Sequence, residues 1–399
     1  MNKILVLFTS SYPYQGGEQF IETEINYLAN SFKKIIIVPS KKNDKIRSVP
    51  TNVIVDNFVA NSNKSIGNRL LALFSREFLK YLSFNSNQNR YWAINIFYVL
   101  KYQKWLESYI QNNDIQETIF YTYWFGASTT ALSITKQKNS DVKFITRTHG
   151  GDLYENVHKF NFFPSRKDVI KNIDKIFSIS ENGKRHIIQK YKIDENKIKI
   201  SRLGIKPHGL LSRKLDNGVL KIVSCSSLIE VKRVILIVKS LSLLKNSDIK
   251  IQWTHIGDGI LMSDIKKLAE ESLKNNIEYN FVGFVANKQI YEFYANNPID
   301  IFINVSSSEG VPVSIMEAQS FGIPCIATDV GGTSEIVNNK NGYLLDANPE
   351  PKKIAKIFED LFNNRDKLLT KSKLSFENWS RYYNADDNYK NFLKSILSI

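Results

Sequence analysis

Residues 306–335 read SSSEGVPVSIMEAQSFGIPCIATDVGGTSE. The run Asp300 to Val305 ahead of them is strand-like, and the three serines with Glu309-Gly310 make a small-residue loop. Pro312 then opens a helix, because its fixed φ and missing N–H suit the first helical position. Gly322 closes that helix and Pro324 prevents its continuation. A helix N-terminus at the carboxyl end of a parallel strand offers unpaired amides to an anion, which makes this a site for a diphosphate. Glu317 lies about five residues into the helix, roughly 7 to 8 Å from the phosphate end, which is about the reach from a pyrophosphate to a ribose ring. A carboxylate there can accept both ribose hydroxyls. Glu309, before the helix, lies where a transferred sugar would offer its own hydroxyls. An ordinary βα unit with two solvated acids would share this local pattern, so the rest of the chain has to decide.

Outward from this stretch, short β-rich runs alternate with helical patterns, the mark of parallel sheets covered by crossover helices. Strands are expected at Lys3 to Phe8, Ile35 to Val38, Val53 to Val55, Thr118 to Tyr121, Lys143 to Arg147, Lys175 to Ile179 and Ile198 to Ser201. The second half repeats the alternation at Leu220 to Cys225, Ile251 to Ile256, Tyr279 to Gly283, Asp300 to Val305, Cys325 to Thr328 and Gly342 to Leu345. Between Ile205 and Gly218 the pattern lapses into Lys-Pro-His-Gly and Arg-Lys-Leu-Asp-Asn-Gly, rich in turn formers. The expected division is therefore a Rossmann-like domain over 1–205, a linker over 206–217, a second Rossmann-like domain over 218–375, and C-terminal helices over 376–399 crossing back to the first domain. Asn68 to Gln111 is aromatic and reads as two or three amphipathic helices, with core packing or a membrane- or acceptor-facing surface as its uses. Trp379, Tyr382, Tyr383, Tyr389 and Phe392 are the expected anchors of the tail.

Composition narrows the class. The chain has 399 residues, 43% of them hydrophobic, enough for two cores. The apolar run Ile4 to Phe8 is too short for a signal peptide and no small-residue cleavage site follows it. No segment approaches the roughly 20 apolar residues a membrane-spanning helix needs. Cys225 and Cys325 lack metal or redox spacing and read as buried thiols in a reducing cytoplasm. A formal charge of +15 suits an anionic membrane surface or polyanionic substrates, yet part of it follows from a Lys-, Asn- and Ile-rich composition. No nucleic-acid-binding signature accompanies it, so no nucleic-acid partner is expected.

The segment EGVPVSIMEA followed by GIPCIATDVGG closely resembles the E-x7-E element of family four retaining glycosyltransferases (GT4), which have the GT-B fold. The resemblance implies an α/β architecture of two facing Rossmann-like domains with parallel sheets and an interdomain cleft. It also implies that Glu309 contacts donor sugar hydroxyls, that Glu317 binds the nucleotide ribose, and that amides of Gly310, Val311, Val313 and Ser314 meet the diphosphate, with Pro312 unable to donate. Ser11-Tyr-Pro-Tyr-Gln-Gly-Gly-Glu18 looks like the family's first glycine-rich loop, Gly16 and Gly17 permitting close backbone approach to a ligand. Thr148-His149-Gly150-Gly151-Asp152 resembles H-G-x-D, which implies that His149 lies beside the reaction centre. After the first strand of the second domain many members carry an Arg and, five residues later, a Lys. The Lys is Lys232, the Arg position holds Ser227, and Arg233 is the substitute cation. His255-Ile-Gly257-Asp-Gly259 and Val282-Gly283-Phe284-Val285 resemble loops framing the nucleotide.

The expected function is transfer of a hexose-type sugar, with retention, from a nucleotide sugar to a glycan or lipid-linked oligosaccharide in bacterial surface polysaccharide synthesis. UDP is the favoured nucleotide and GDP the alternative. No metal or cofactor is expected: the strands end in no Asp-x-Asp motif, and Lys232 with the loop amides meets the diphosphate charge. A cytoplasmic protein, peripheral at the inner face of the membrane, fits this reading. The competing readings are a nucleotide-sugar epimerase or glycan phosphorylase of the same architecture, and a degenerate scaffold protein, which Ser227 favours. A dehydrogenase is disfavoured because no strand is followed by G-x-G-x-x-G.

Overall fold

The computed structural model describes residues 2–15, 17–61, 73–155, 162–209, 211–212, 218–244 and 248–399. It divides into two units, Met1–Leu203 with Asp386–Ile399, and Gly204–Ala385.

The first unit holds a parallel sheet of seven strands: β1 (Ile4–Thr9), β2 (Lys34–Pro39), β3 (Val53–Val55), β4 (Thr118–Thr122), β5 (Lys143–Thr148), β6 (Lys175–Ser178) and β7 (Ile198–Ile200), in the order β3-β2-β1-β4-β5-β6-β7. The strands are near-continuous apolar runs because helices cover both faces of the sheet. Val6, Phe8 and Phe120 face a core with Trp105 and Tyr109, whereas Leu5, Leu7 and Tyr121 face one with Ile25 and Phe392. Within the described residues the aromatic stretch is a short helix, Arg76–Lys80, and one helix of 27 residues, Ser86–Asn112, in line with the two or three helices expected. Its Trp92, Phe97, Tyr102, Trp105 and Tyr109 are buried; residues 68–72 lie outside the described part.

The second unit holds six parallel strands: β8 (Val219–Cys225), β9 (Lys250–Ile256), β10 (Ile277–Gly283), β11 (Ile301–Asn304), β12 (Cys325–Thr328) and β13 (Gly342–Leu345), ordered β10-β9-β8-β11-β12-β13. Every strand expected from the sequence is present. Each sheet grows outward in both directions from a central pair, β1 and β4 in one and β8 and β11 in the other. Such a pair is the topological switch point, where loops leave the carboxyl ends in opposite directions and open a crevice.

Three expectations need correction. The segment before Asp386 belongs to the second unit, so only the helix Ala385–Leu397 reaches the first, where Phe392 packs on Tyr121 and Phe177. Tyr382, expected as an anchor, is exposed at the end of the helix Asp366–Tyr382. The segment after Ile205 is also more than a connector. Ser212 donates from its amide to the Phe321 carbonyl at 2.9 Å, and the His208 ring stacks on Phe321 at 4.8 Å.

Beneath the first sheet's carboxyl end lies a buried ion pair. Arg147 on β5 donates to the Glu24 carboxylate and, at 3.0 Å, to Ser201 Oγ; the Tyr121 hydroxyl donates to Glu24 Oε1 at 3.1 Å. Arg147 lies 4.4 Å from the Phe392 ring, so a single cation links β5, the helix Ile21–Ala29, Ser201 after β7 and the C-terminal helix. A pair this buried contributes mainly by being costly to break.

Candidate functional site

At the second sheet's switch point the loop after β8 meets the loop after β11. Residues Glu230–Lys232 form one 3-10 turn that ends because Arg233 adopts the left-handed conformation, φ 50°. The turn presents Lys232, whose Nζ donates to Glu309 Oε1 at 2.6 Å. The same oxygen accepts from Ser306 Oγ at 2.7 Å and Asn304 Nδ2 at 3.3 Å. Three donors on one oxygen fix the carboxylate's orientation, and Lys232 has two further N–H groups. Ser306 is the first of the three serines singled out in the sequence, whereas Asn304 went unremarked, marked only by its position at the strand end.

Arg233, the substitute cation, is otherwise engaged. Its Nε donates to the Val305 carbonyl at 2.6 Å, and its Nη atoms donate to Asn348 Oδ1 and to the Ser306 and Ala347 carbonyls at 2.8 to 2.9 Å. With those donors spent, it clamps the end of β11 to the loop after β13. Ser227 is exposed, so Lys232 alone stands for the expected two-cation pair.

The helix after the loop runs Val313–Ser320, and Pro312, with ψ 116°, is its extended N-cap residue, not its first helical one. Amides of the first turn, Val313 and Ser314 among them, have no intrahelical carbonyl to bind. Beneath the loop, Gly332 donates its amide to the Gly310 carbonyl at 2.6 Å. Gly331, at φ +57°, packs so closely that a Cβ there would sit 1.8 Å from the Glu309 carbonyl oxygen. The double glycine of the quoted stretch is thus required for the loop holding Glu309.

Glu317 is 4% exposed. Burial pushes its carboxyl up from 4.5 to about 7, and the Tyr291 hydroxyl, donating at 3.1 Å, opposes the shift. Tyr291 also contacts His208, ring centroids 4.4 Å apart, which links the segment after Ile205 to this carboxylate. On the β8–β9 side, Gly257 is at φ +137° and a Cβ would meet the Ser226 carbonyl at 1.9 Å, so loop packing explains this glycine. His255 is an internal core histidine: the Trp253 indole donates to Ser224 Oγ, Ser224 donates to His255 Nδ1, and His255 Nε2 donates to the Ser226 carbonyl. Phe284 is 78% exposed, with Val285 half-buried beside it.

In the first unit, the loop after β1 is organised by Glu18. Its carboxylate accepts from the amides of Ser10, Ser11 and Tyr12 at 2.6 to 2.8 Å and from the Trp124 indole. Glu18 is buried and left-handed, φ 56°. Its place beside the double glycine was the sole sequence signal for this role. Gly17 accepts at its carbonyl from Arg47 at 3.0 Å, and Gly16 lies outside the described residues.

His149 follows β5, stacked on Tyr123 at 4.9 Å and close to Trp124 at 4.5 Å. Burial, with Arg147 nearby, pushes its pKa down to about 3. The neutral ring donates from Nε2 to the Tyr123 carbonyl at 3.1 Å, which leaves Nδ1 as an acceptor. Asp152 accepts from the His149 and Phe125 amides and fixes this turn. At the carboxyl ends of β1, β2 and β4 opens a cavity of about 840 Å³, walled by Tyr98, Tyr102, Trp124, Lys41 and Lys42 among others.

The family model of glycosyl transferases group 1 matches residues 212–374, which contain both glutamates and Lys232. This segment is similar to the group 1 glycosyltransferases. The O-antigen biosynthesis glycosyltransferase WbnH of Escherichia coli is 34% identical to the chain over 133 residues, 33% of this chain and 36% of that relative. The amylovoran biosynthesis glycosyltransferase AmsK of Erwinia amylovora is 24% identical over 240 residues, 57% of each. The chain thus spans about a third of the length of the first of these relatives and just over half of the second. The fold extends over the whole chain: the Anabaena protein HepE, solved in complex with UDP, superposes with a TM-score of 0.68 at 15% identity and 100% coverage of both chains. The matched segment therefore sits in a chain of GT-B fold. Among its described residues no helix is long and apolar enough to cross a membrane.

Proposed function

We propose that the protein transfers a hexose-type sugar from a nucleotide sugar to a glycan or lipid-linked oligosaccharide in surface polysaccharide synthesis, retaining the anomeric configuration and using no metal. The observation that carries this reading is the Lys232–Glu309 bridge at the switch point of the second sheet, one turn ahead of a buried Glu317. Loss of a nucleoside diphosphate builds negative charge on the leaving phosphate and positive charge on the sugar. Lys232, with two N–H groups beyond the one on Glu309, and the amides from Gly310 to Ser314 are placed to oppose the first. Glu309 keeps one carboxylate oxygen for sugar hydroxyls, and Glu317 is matched to a ribose. The UDP complex of HepE supports UDP as the nucleotide. The large cavity of the first unit is assigned to the acceptor. His149, neutral above pH 4, offers a hydrogen-bond acceptor at Nδ1 and no proton.

An anionic membrane surface is the further partner. Phe74, Leu79, Leu82 and Phe84 are all exposed within eleven positions of one another, and Arg76 and Arg90 are exposed with them. Such a pairing of apolar and cationic side chains suits a lipid interface. Failure to bind anionic vesicles at low salt would remove this part of the proposal. A second reading, a scaffold without activity, is favoured by Ser227 and the engaged Arg233.

The deciding experiment is calorimetric binding of UDP, GDP and their sugars, in EDTA, to the wild type and to Glu317→Ala. Binding of one nucleotide that the variant loses is expected. No binding of any nucleotide would overturn the transferase reading in favour of the scaffold.

A further inference from the structure

The helix Ala127–Lys138 follows β4, one of the two central strands of the first sheet, and its N-terminus opens into the large cavity: Gly126, Ala127 and Ser128 all stand on the cavity walls. The amides of Ala127 and Ser128 lie in the first turn, where no intrahelical carbonyl is available to them. Ser128 is 9% exposed and its hydroxyl has no hydrogen-bond partner among the described residues, yet Oγ is not among the unpaired atoms sealed off from solvent. The little surface that Ser128 keeps therefore includes its hydroxyl, on the cavity side. Its neighbours are satisfied inside the unit: Thr129 Oγ1 donates to the Trp124 carbonyl at 3.1 Å, and Thr130 Oγ1 pairs with Ser165 Oγ at 2.9 Å. A Cβ at Gly126 would meet nothing within 4 Å, so packing does not call for a glycine there, and the bare backbone leaves the approach to these amides clear.

Charge on the same walls has the sign an anion needs. Lys41 and Lys42 are exposed and make no ion pair among the described residues. Glu18, the carboxylate on these walls, is already met by three amides and the Trp124 indole. A helix N-terminus carries the positive end of the helix dipole, and with an open hydroxyl donor in its first turn and two unpaired lysines facing the same space it matches a phosphate. Beyond the helix end the cavity is walled by the half-buried rings of Tyr91, Tyr98 and Trp124, which suit the apolar face of a sugar ring. Its volume of about 840 Å³ lies high in the range of roughly 300–1,000 Å³ usual for ligand pockets, room for a sugar together with its phosphate.

We propose that the N-terminus of the helix Ala127–Lys138, with Ser128, Lys41 and Lys42, binds a phosphate group carried by a saccharide in the large cavity. On the transferase reading, on which the identity of this ligand as the acceptor rests, the phosphate is that of a lipid-diphosphate carrier or of a soluble sugar phosphate. The phosphate site itself is testable without any transfer reaction.

The test is ¹⁹F NMR of the full chain labelled with 5-fluorotryptophan, because Trp124 stands on the cavity wall. Five tryptophans give five resonances, and Trp124→Phe assigns that of Trp124. The protein is titrated with glucose 1-phosphate, geranyl diphosphate and glucose. A saturable shift of the Trp124 resonance with a phosphate but not with glucose, weakened at least tenfold in Ser128→Ala and in Lys41→Ala/Lys42→Ala, supports the site. Tighter binding of geranyl diphosphate supports a lipid-linked source, and tighter binding of glucose 1-phosphate a soluble one. No shift with either phosphate, an equal shift with glucose, or unchanged affinity in either variant overturns the proposal; the exposed lysine pair decides if Ser128→Ala fails to fold. Loss of nucleotide binding in calorimetry beside an intact Trp124 shift overturns the transferase reading only; normal nucleotide binding without the shift overturns the phosphate site only.

Discussion

Replacing Glu317 with Gln isolates the cost of keeping in the core the carboxylate that we propose binds a ribose. Glu317 is 4% exposed, and burial raises its pKa from 4.5 to about 7. At about 1.4 kcal/mol per pH unit, that shift sets a penalty of about 3 kcal/mol on the ionised form in the folded state. Below pH 7 the folded chain holds a proton that the unfolded chain releases down to about pH 4.5. Wild-type stability contributed by this group therefore rises as pH falls from 7 to 4.5, and the full penalty applies above 7. Glutamine fills the same space, still accepts from Tyr291 and carries no charge. The variant is expected to gain up to about 3 kcal/mol at pH 8, visible in calorimetry as a Tm rise of roughly 2–4 °C per kcal/mol, and to gain little at pH 4.5. Nucleotide binding moves the other way, since hydroxyls donate more strongly to a carboxylate than to an amide; a loss of about 1.5–3 kcal/mol is expected. Wild-type affinity should also weaken as pH falls through 7, and the variant's should not. Equal stabilities at pH 8 together with parallel affinity profiles would refute both the burial cost and the ribose assignment.

Lys232→Ala is expected to lower kcat by roughly 10²- to 10³-fold while UDP-sugar binding falls much less; steady-state kinetics with unchanged kcat would remove Lys232 from the chemistry. Gly331→Ala forces a Cβ against the Glu309 carbonyl from a left-handed backbone, so nucleotide affinity and turnover should both collapse with the far-UV circular dichroism retained. Glu24→Gln leaves Arg147 buried without its counter-charge and should cost about 3–5 kcal/mol in urea unfolding; a loss below about 1 kcal/mol would show that Ser201 and the aromatic rings suffice for the guanidinium.

How far the sequence reaches is clearest where neighbouring residues part company. Strand identity follows from composition over three to seven residues, and all the expected strands occur, because an apolar β-branched run between turns can be buried in few other ways. The loop and helix around Glu309 and Glu317 are equally local: serines, a glycine and a proline in order set strand, turn and helix. Lys232 and Arg233, by contrast, are adjacent cations that no periodicity separates. The left-handed backbone at Arg233 turns one guanidinium onto carbonyls as much as 114 positions away, while Lys232 meets a glutamate 77 positions away. Tyr291 belongs to the same class: its local sequence is unremarkable, and its contact with Glu317 arises because parallel strands joined by crossovers bring distant segments together. Local sequence therefore determined the elements and the two glutamates, and only the tertiary structure decided which charges are paired, which are clamps and which remain open to a ligand, because burial and hydrogen-bond partners are properties of the packed sheet and not of any segment within it.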